Sequence, residues 1–316
     1  MKHNTHIYLA AKAIEFTKQS VDNTILENGK HLTRSRKTRE RNMATDRQRI
    51  LKYYQDWISE ASWAPDDILC DNDPYHIFKL FMDDEFPNHG LVDRPKFERD
   101  GVVYYKFAGG LPYRIDHFAQ QIMSMSKLRD YNDQFDLKQI MYNYLLISHY
   151  VVDAHVPMHC DLRDDPPTKG RDTEPSRRKG SDKPSGKYMD KDAHGKLEQL
   201  WDNAVTPVAI REEIIPRAWA KDRVDNTKYS DDVSFCLGDC KKGQAIRVPI
   251  ISGTGLMRFM VDVCIESKKR GRKLFPLDNP KKRNDDILAK TTREIFADCI
   301  GNLMAVWRYI WVRHQE

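Results

Sequence analysis

The sequence predicts an all-α protein, a single large helical domain interrupted by long polar loops. Three observations carry that expectation. Apolar residues recur at helical spacing, as in Leu137, Ile140, Met141, Tyr144, Leu145, Ser148 and Val152. Two His–carboxylate pairs, His149/Asp153 and His194/Glu198, are each four residues apart, so on a helix both members share one face, one turn apart. The chain has 316 residues, 40% of them hydrophobic, enough to enclose a sizeable core.

Taken in order, Thr5 is positioned to cap a helix through Ile7, Ala10, Ala11 and Ile14, with His6 on or beside its apolar face. Residues 22–48, rich in Arg34, Arg36, Lys37, Arg39 and Arg41, read as a linker and the polar start of a helix. That helix runs to about Ser59 on the stripe Ile50, Tyr53, Tyr54, Trp57 and Ile58. Pro65-Asp66-Asp67 reads equally as a plain turn with an N-cap or as a ligand-bearing element, and His76 follows in Asp73-Pro74-Tyr75-His76. A short strand at Val102–Tyr105 and a loop at Phe107–Pro112 precede a helix from Tyr113 to Lys127, with Ile115, Phe118, Ala119, Ile122 and Met123 inward.

The stripe from Leu137 to Val152 is expected to stop at Pro157, leaving His159 just past the helix. Residues 160–190 hold almost no large apolar side chain and read as a mobile insertion between chemistry-bearing segments, with a lid over them as the alternative. Helix resumes from His194 through Val208, Ile210, Ile214 and Trp219, and no element is assigned from Thr227 to Pro249. Two last helices are expected around Leu256–Ser267 and Asp285–Arg313. The basic cluster between them (Lys268, Lys269, Arg270, Arg272, Lys273, Lys281, Lys282, Arg283) reads as a solvated linker, with phosphate contact as the alternative. This divides the chain into a core, 1–226, and a helical extension, 227–316, packing on the same domain.

Lys and Arg number 52 against 47 Asp and Glu, a net +5 that permits phosphate-bearing partners without demanding them. No apolar run reaches the length of a membrane span and no signal-peptide stretch opens the chain, which makes the cytoplasm the default compartment. The six cysteines (Cys70, Cys160, Cys236, Cys240, Cys264, Cys299) form no paired framework and read as free thiols, with Cys236 and Cys240 spaced for a local bridge.

On an inward face, His149 beside Asp153 is costly unless the carboxylate is compensated, which points to a metal ion or a charged partner. Imidazole and carboxylate are the ligands zinc takes where cysteine is absent. One such pair usually reports an ion pair or a capped helix end. Two, with His159 close behind the first, point to metal.

The run His149-Tyr150-x-x-Asp153-x-His155-x-Pro157-x-His159, followed by His194-x-x-x-Glu198 and Trp201-Asp202, resembles the signature of the zinc-dependent phospholipase C / S1–P1 nuclease superfamily. The resemblance covers about the first two-thirds of the chain. It implies an all-helical fold with three zinc ions that hydrolyse phosphate esters. In that family a histidine of the N-terminal helix and the first residue's amino group and carbonyl share a zinc. The interval from Met1 to His6 is that of the nuclease branch, although Met1 stands where the family has Trp, and His3 is a substitute. Ala61-Ser62-Trp63-Ala64-Pro65-Asp66-Asp67 resembles the family's Trp-Ala-Asp element, whose Asp binds zinc. Asp66 or Asp67 fits, with Asp66, directly after Pro65, preferred. His76 takes the place of the next histidine ligand.

The implied grouping is Asp66, His76, His149 and Asp153 on one ion; Asp153, His6 and Met1 on a second; and His159, His194 and Glu198 on the third. Asp153 is then a bridge, with Asp153 and Asp66 the catalytic carboxylates, and His155 has no assigned role. For the substrate the cues divide. Glu198 matches the phospholipase branch, whereas Asp153-x-His155-x-Pro157 matches the nucleases. The nuclease branch's base-stacking aromatic and base-reading Asp fall on Ile77 and Lys79, with Phe78 one place displaced. The basic cluster and the 160–190 loop favour a polyanion. The resulting expectation is zinc-dependent cleavage of single-stranded nucleic acid or its 3′-phosphate. The alternatives are a lipid phosphodiesterase working at a membrane surface and a non-catalytic, zinc-stabilised helical binding protein.

Overall fold

The chain is mostly helical in the computed structural model, which describes residues 2–17, 34–69, 71, 73–86, 94–132, 137–164, 186–211, 248–251 and 255–314. Ten α-helices are described: α1 His3–Phe16, α2 Arg34–Tyr53, α3 Ile58–Ala61, α4 Ala64–Asp67, α5 Leu111–Asn132, α6 Leu137–Asp153, α7 Pro157–Cys160, α8 Ala193–Arg211, α9 Gly255–Leu274 and α10 Leu288–His314. Helix α6 is the axis. Its last turns, Tyr144 to Asp153, are buried at every position, as a helix enclosed by others must be. Its neighbours are α1, α3, α4, α5 and α10. Helix α6 ends at Asp153, and Pro157 does not terminate it. Val156 is extended, and Pro157 opens α7 as its first residue, where a missing N–H costs nothing.

Thr5 is not the cap of α1. The helix already starts at His3, and Thr5 lies buried within its first turn. The exposed N–H groups and positive dipole end of that turn are met instead from α8. Asp202 Oδ1 accepts the Thr5 backbone N–H at 3.2 Å, and Oδ2 accepts from Asn4 Nδ2 at 3.0 Å. Replacing Asp202 with Ala should cost about 1–3 kcal/mol, the range for removing one partner of a buried polar pair. Denaturant unfolding checks this. A loss under about 0.5 kcal/mol, ordinary for a surface change, would show that α1 is anchored by other means.

Two further expectations need correction. The helix expected to run to Ser59 breaks at Tyr53, which is 77% exposed, and a 3-10 turn at Gln55–Trp57 leads into α3. The all-α expectation misses a small antiparallel sheet of order β1-β3-β2, with β1 Phe78–Phe81, β2 Lys96–Arg99 and β3 Val102–Gly109. The strand expected at Val102–Tyr105 is the first half of β3, so Phe107–Gly109 are strand, not loop. β2 and β3 join through Asp100-Gly101, with φ of 53° and 73°, the two positive values of a type I′ hairpin.

The far end of the sheet holds the segment around His76. Gly110 N–H donates to Pro74 O at 2.6 Å and Leu111 N–H to Ile77 O at 3.2 Å. Gly109 has φ 94°, and a Cβ there would lie 2.1 Å from Ile77 O, so only glycine permits this approach.

One hydrophobic cluster draws on α1, α5, α6, α8, α9 and α10, so segments on both sides of the expected 226/227 division share it. That division falls in 212–247, outside the described residues, as do 18–33, 165–185 and the continuation of α8 to Trp219. Trp201 Nε1–H donates to Thr292 Oγ1 at 3.1 Å and Trp307 Nε1–H to Tyr144 O at 2.7 Å, fastening α8 and α6 to α10. Cys160, Cys264 and Cys299 are buried free thiols, while Cys70, Cys236 and Cys240 lie outside the described residues. Among the described residues no helix is long and apolar enough to cross a membrane.

Much of the basic cluster is neither linker nor free surface. Helix α9 extends to Leu274 and carries Lys268 to Lys273. Lys268 is fully buried, with Nζ 2.7 Å from Asp161 Oδ1 and from both oxygens of Glu85. Lys269 pairs with Asp100 and Glu266, Arg270 with Asp298, Arg272 with Asp84 and Arg283 with Asp285. Lys268 is thus withdrawn into the interior, and Lys269, Arg270, Arg272 and Arg283 are paired with carboxylates at the surface.

Candidate metal centre

The C-terminal turn of α6 delivers His149 and Asp153 to the point where α1, α4 and the segment after the 3-10 turn Asp73–Tyr75 converge. His149 Nδ1 lies 2.7 Å from Ser62 O. A carbonyl only accepts, so Nδ1 carries the proton and Nε2 faces the site. There it lies 3.1 Å from Asp153 Oδ2, 3.1 Å from His76 Nδ1 and 3.6 Å from Asp66 Oδ1. His6 stacks on His149 with ring centroids 4.2 Å apart. The two oxygens of Asp153 face opposite ways: Oδ2 is 2.9 Å from His76 Nδ1, while Oδ1 is 3.5 Å from His6 Nε2 and 3.4 Å from His159 Nδ1.

α7 places His159 beside the second helical pair, on α8. His194 Nε2 is 2.8 Å and His159 Nε2 3.5 Å from Glu198 Oε1. Ligand-type atoms thus fall into three groups, each within 4.8 Å: His6, His149 and Asp153; Asp66, His76 and His149; and His159, His194 and Glu198. The expected set therefore converges, with His149 common to two groups. Met1 and the Asp67 side chain lie outside the described residues. His3 is elsewhere, its Nε2 3.2 Å from Ser59 O and its ring stacked on Trp63.

The electrostatics are those of buried carboxylates held charged by the imidazoles around them. Burial opposes charge on Asp153, but His149 and His159 beside it hold its carboxyl well below the usual range. Glu198 is likewise driven down by hydrogen bonds from His159 and His194, against burial. Burial pushes His6 well below 6.5 and His159 down to about 4. Burial pulls His76 down, but its hydrogen bond to Asp153 together with the charges of Asp153, Asp66 and Asp71 raises it. His194, hydrogen-bonded to Asp164 and Glu198, rises to about 9 against burial. Burial raises Asp66, the exposed carboxylate of the set.

These residues fit a bound cation. With Nδ1–H committed to Ser62, the His149 Nε2 lone pair would face Asp153 Oδ2 at 3.1 Å with nothing positive between them unless a proton or a metal occupies that space. Buried imidazole nitrogens without a hydrogen-bond partner also border the groups: Nδ1 and Nε2 of His6, Nε2 of His76 and Nδ1 of His159. Orphaned buried nitrogens are rare in satisfied cores.

His155 is not part of this cluster. It donates from Nδ1 to Val151 O at 2.7 Å, accepts from Asn302 Nδ2 at 2.9 Å, and burial holds its pKa at about 4. It lines a separate cavity of about 610 Å³ with Arg99, Phe259, Asp262, Asp298 and Asn302, and no residue of the three groups borders that cavity. Sequence reasoning missed two neighbours of the centre: Ser62, which fixes the His149 tautomer, and Asp164, 3.1 Å from His194 Nδ1. Neither has a local signature, since one acts through its backbone carbonyl and the other sits in a polar Asp-Asp-Pro-Pro turn sequence.

Exposed apolar and aromatic side chains lie close in the chain to Asp66 and His76. Ile68 (60% exposed), Leu69, Tyr75 and Tyr113 stand out near the segments bearing Asp66 and His76. Arg114 lies over the Tyr75 ring at 4.8 Å and forms two hydrogen bonds to Asp71, which also accepts from Tyr150 Oη. Phe78 and Lys79 are buried, so neither presents a base-binding group at the surface. Comparison of the chain with protein-family models and with curated proteins returned no match.

Proposed function

We propose that this protein is a zinc-dependent phosphodiesterase whose centre resembles that of the phospholipase C / S1–P1 nuclease superfamily. The observation that carries the reading is Asp153, a buried carboxylate whose two oxygens face two different imidazole sets. By the resemblance, Asp66, His76, His149 and Asp153 would hold one ion, Asp153 and His6 a second, and His159, His194 and Glu198 a third; Asp153 Oδ2 lies beside His76 and His149, and its Oδ1 beside His6. Bound there, zinc would supply Lewis acidity toward a phosphoryl oxygen and a water whose pKa is lowered to about 7.

The chain's own residues do the rest. The Ser62 carbonyl holds His149 in one tautomer, and the burial of His6, His149 and Asp153 excludes bulk water and strengthens every charge interaction. Asp66 is the carboxylate of the set open to solvent, and its Oδ1, 3.6 Å from His76 Nε2 and from His149 Nε2, is the oxygen that would join them on the ion. Tyr75, exposed directly before His76 and backed by Arg114, offers a stacking face for an unpaired base. It supports single-stranded nucleic acid or its 3′-phosphate as substrate. Ile68 and Leu69 favour the second reading, a phospholipid headgroup presented at a membrane surface.

The purified protein should hold close to three zinc ions per chain and turn over bis(p-nitrophenyl) phosphate, with a chelator abolishing turnover and lowering the melting temperature. Protein with no transition metal after mild purification would sink the reading. Zinc without turnover of this diester, single-stranded DNA or phosphatidylcholine would point to the non-catalytic binding protein. Phosphatidylcholine hydrolysis with no action on single-stranded DNA or RNA would select the lipid substrate.

A further inference from the structure

The group formed by His159, His194 and Glu198 has a support that reaches it from the sheet. Lys79, on β1, is buried, and its ammonium donates to the Met158 carbonyl, lies 3.5 Å from the Asp161 carbonyl and is 3.2 Å from Asp164 Oδ2. Met158 and Asp161 flank His159 in the chain, so one ammonium grips the backbone on both sides of that imidazole. The same Asp164 oxygen lies 3.1 Å from His194 Nδ1, and the Asp164 side chain is only 6% exposed. His194 is thereby held at both nitrogens, with Nδ1 on Asp164 and Nε2 2.8 Å from Glu198 Oε1.

We propose that Lys79 and Asp164 are the positioning residues of this group: Asp164 accepts the His194 Nδ1–H and turns Nε2 toward Glu198 and His159, while Lys79 fixes Asp164 and the His159 turn together. The proposal rests on the metal-binding reading given above and goes beyond it, because neither residue belongs to the ligand groups. The physics is that of a carboxylate behind a ligating histidine. It selects the tautomer, makes the ring a better donor and removes the entropy of ring rotation. Lys79 also explains why a lysine sits buried on a strand. With three acceptors around it, a charge that would otherwise be costly is compensated, and the ammonium is unavailable to substrate.

The test is zinc retention, measured by elemental analysis during dialysis against a graded competing chelator, on the wild type, Asp164→Asn and Lys79→Met. Asp164→Asn keeps the shape of the side chain and removes its charge. It should release one of the three ions at roughly 10–100-fold lower chelator strength, the other two holding as in the wild type. Lys79→Met should release the same ion, and Lys79→Arg should recover part of the retention. Melting of the chelated, zinc-free proteins measures the separate folding cost of leaving the buried Lys79 ammonium without its carboxylate, and zinc retention is therefore compared well below the lowest of those melting temperatures. Retention of all three ions within about twofold of wild type in Asp164→Asn would overturn the proposal, as would loss of all three together. A wild type that holds no zinc would instead remove the metal-binding reading, and this proposal with it.

Discussion

Asp153→Asn should abolish more activity than any other single ligand change, lowering phosphodiester turnover by more than about 100-fold, beyond what loss of an outer-shell partner does. The substitution keeps the size of the side chain and removes one negative charge. In the folded protein that charge faces His76 and His149 through Oδ2, and His6 and His159 through Oδ1. Two ions would therefore lose their shared anion at once, and their mutual repulsion would be less compensated. Glu198 Oε1 instead faces His159 and His194, both of its own group, so Glu198→Gln should disturb that ion. Elemental analysis should find about one ion left in Asp153→Asn and two in Glu198→Gln, with turnover falling further in the first. The melting temperature of Asp153→Asn should also respond less to chelator, since less binding free energy remains to be lost. If Glu198→Gln were inactive and Asp153→Asn near normal, the bridge would have to be reassigned. If neither variant changed metal content, the cluster would be a network of buried His–carboxylate ion pairs.

What the sequence made legible was periodic. Helix α6 and the facing of His149 and Asp153 follow from i, i+4 spacing on a strongly apolar run, and His194 and Glu198 follow from the same rule. Local geometry is enough in both cases. What stayed hidden depends on residues far apart in the chain. The start of α1 is held by Asp202, almost two hundred positions away, so a local capping rule chose Thr5. β1 is buried at all four positions and β2 is largely exposed, so neither shows the alternation that marks a strand. The cue that was present, Asp100-Gly101 between short β-prone segments, is the preferred type I′ dipeptide and went unused. The centre divides along the same line. Residues on helix faces are readable from spacing, whereas Ser62, Asp164 and Lys79 enter it through tertiary contacts alone.

Lys268 is where tertiary context most changes the expected energetics. A lysine in a basic stretch reads as solvated, and a neutral replacement there would alter stability by less than about 0.5 kcal/mol. In the folded protein Lys268, Arg163, Glu85 and Asp161 are all fully buried. Lys268 Nζ lies 2.7 Å from both carboxylates, and Arg163 Nη2 donates to Asp161 Oδ2 at 2.7 Å and Nη1 to Phe275 O at 2.8 Å. Two fully buried cations balance two fully buried anions, and the partly exposed Arg272 Nη1 lies a further 3.7 Å from Glu85 Oε1. Lys268→Met removes the closest cation and leaves two buried carboxylates on Arg163, with the more distant, partly exposed Arg272 beside Glu85. The expected loss is about 3–5 kcal/mol, the range for breaking a buried pair from one side. Thermal unfolding should fall by on the order of 5–15 °C.

The damage should also reach the metal centre, because Asp161 and Arg163 lie between His159 and Asp164 in the chain, so metal retention should fall along with stability. Adding Glu85→Gln restores the balance of charge. The double variant should therefore be more stable than the sum of the two single losses allows, with a coupling of about 0.5–3 kcal/mol. A melting temperature for Lys268→Met within 1–2 °C of wild type would place the ammonium in solvent, because a charge compensated only by buried carboxylates cannot be deleted without leaving one of them unpaired.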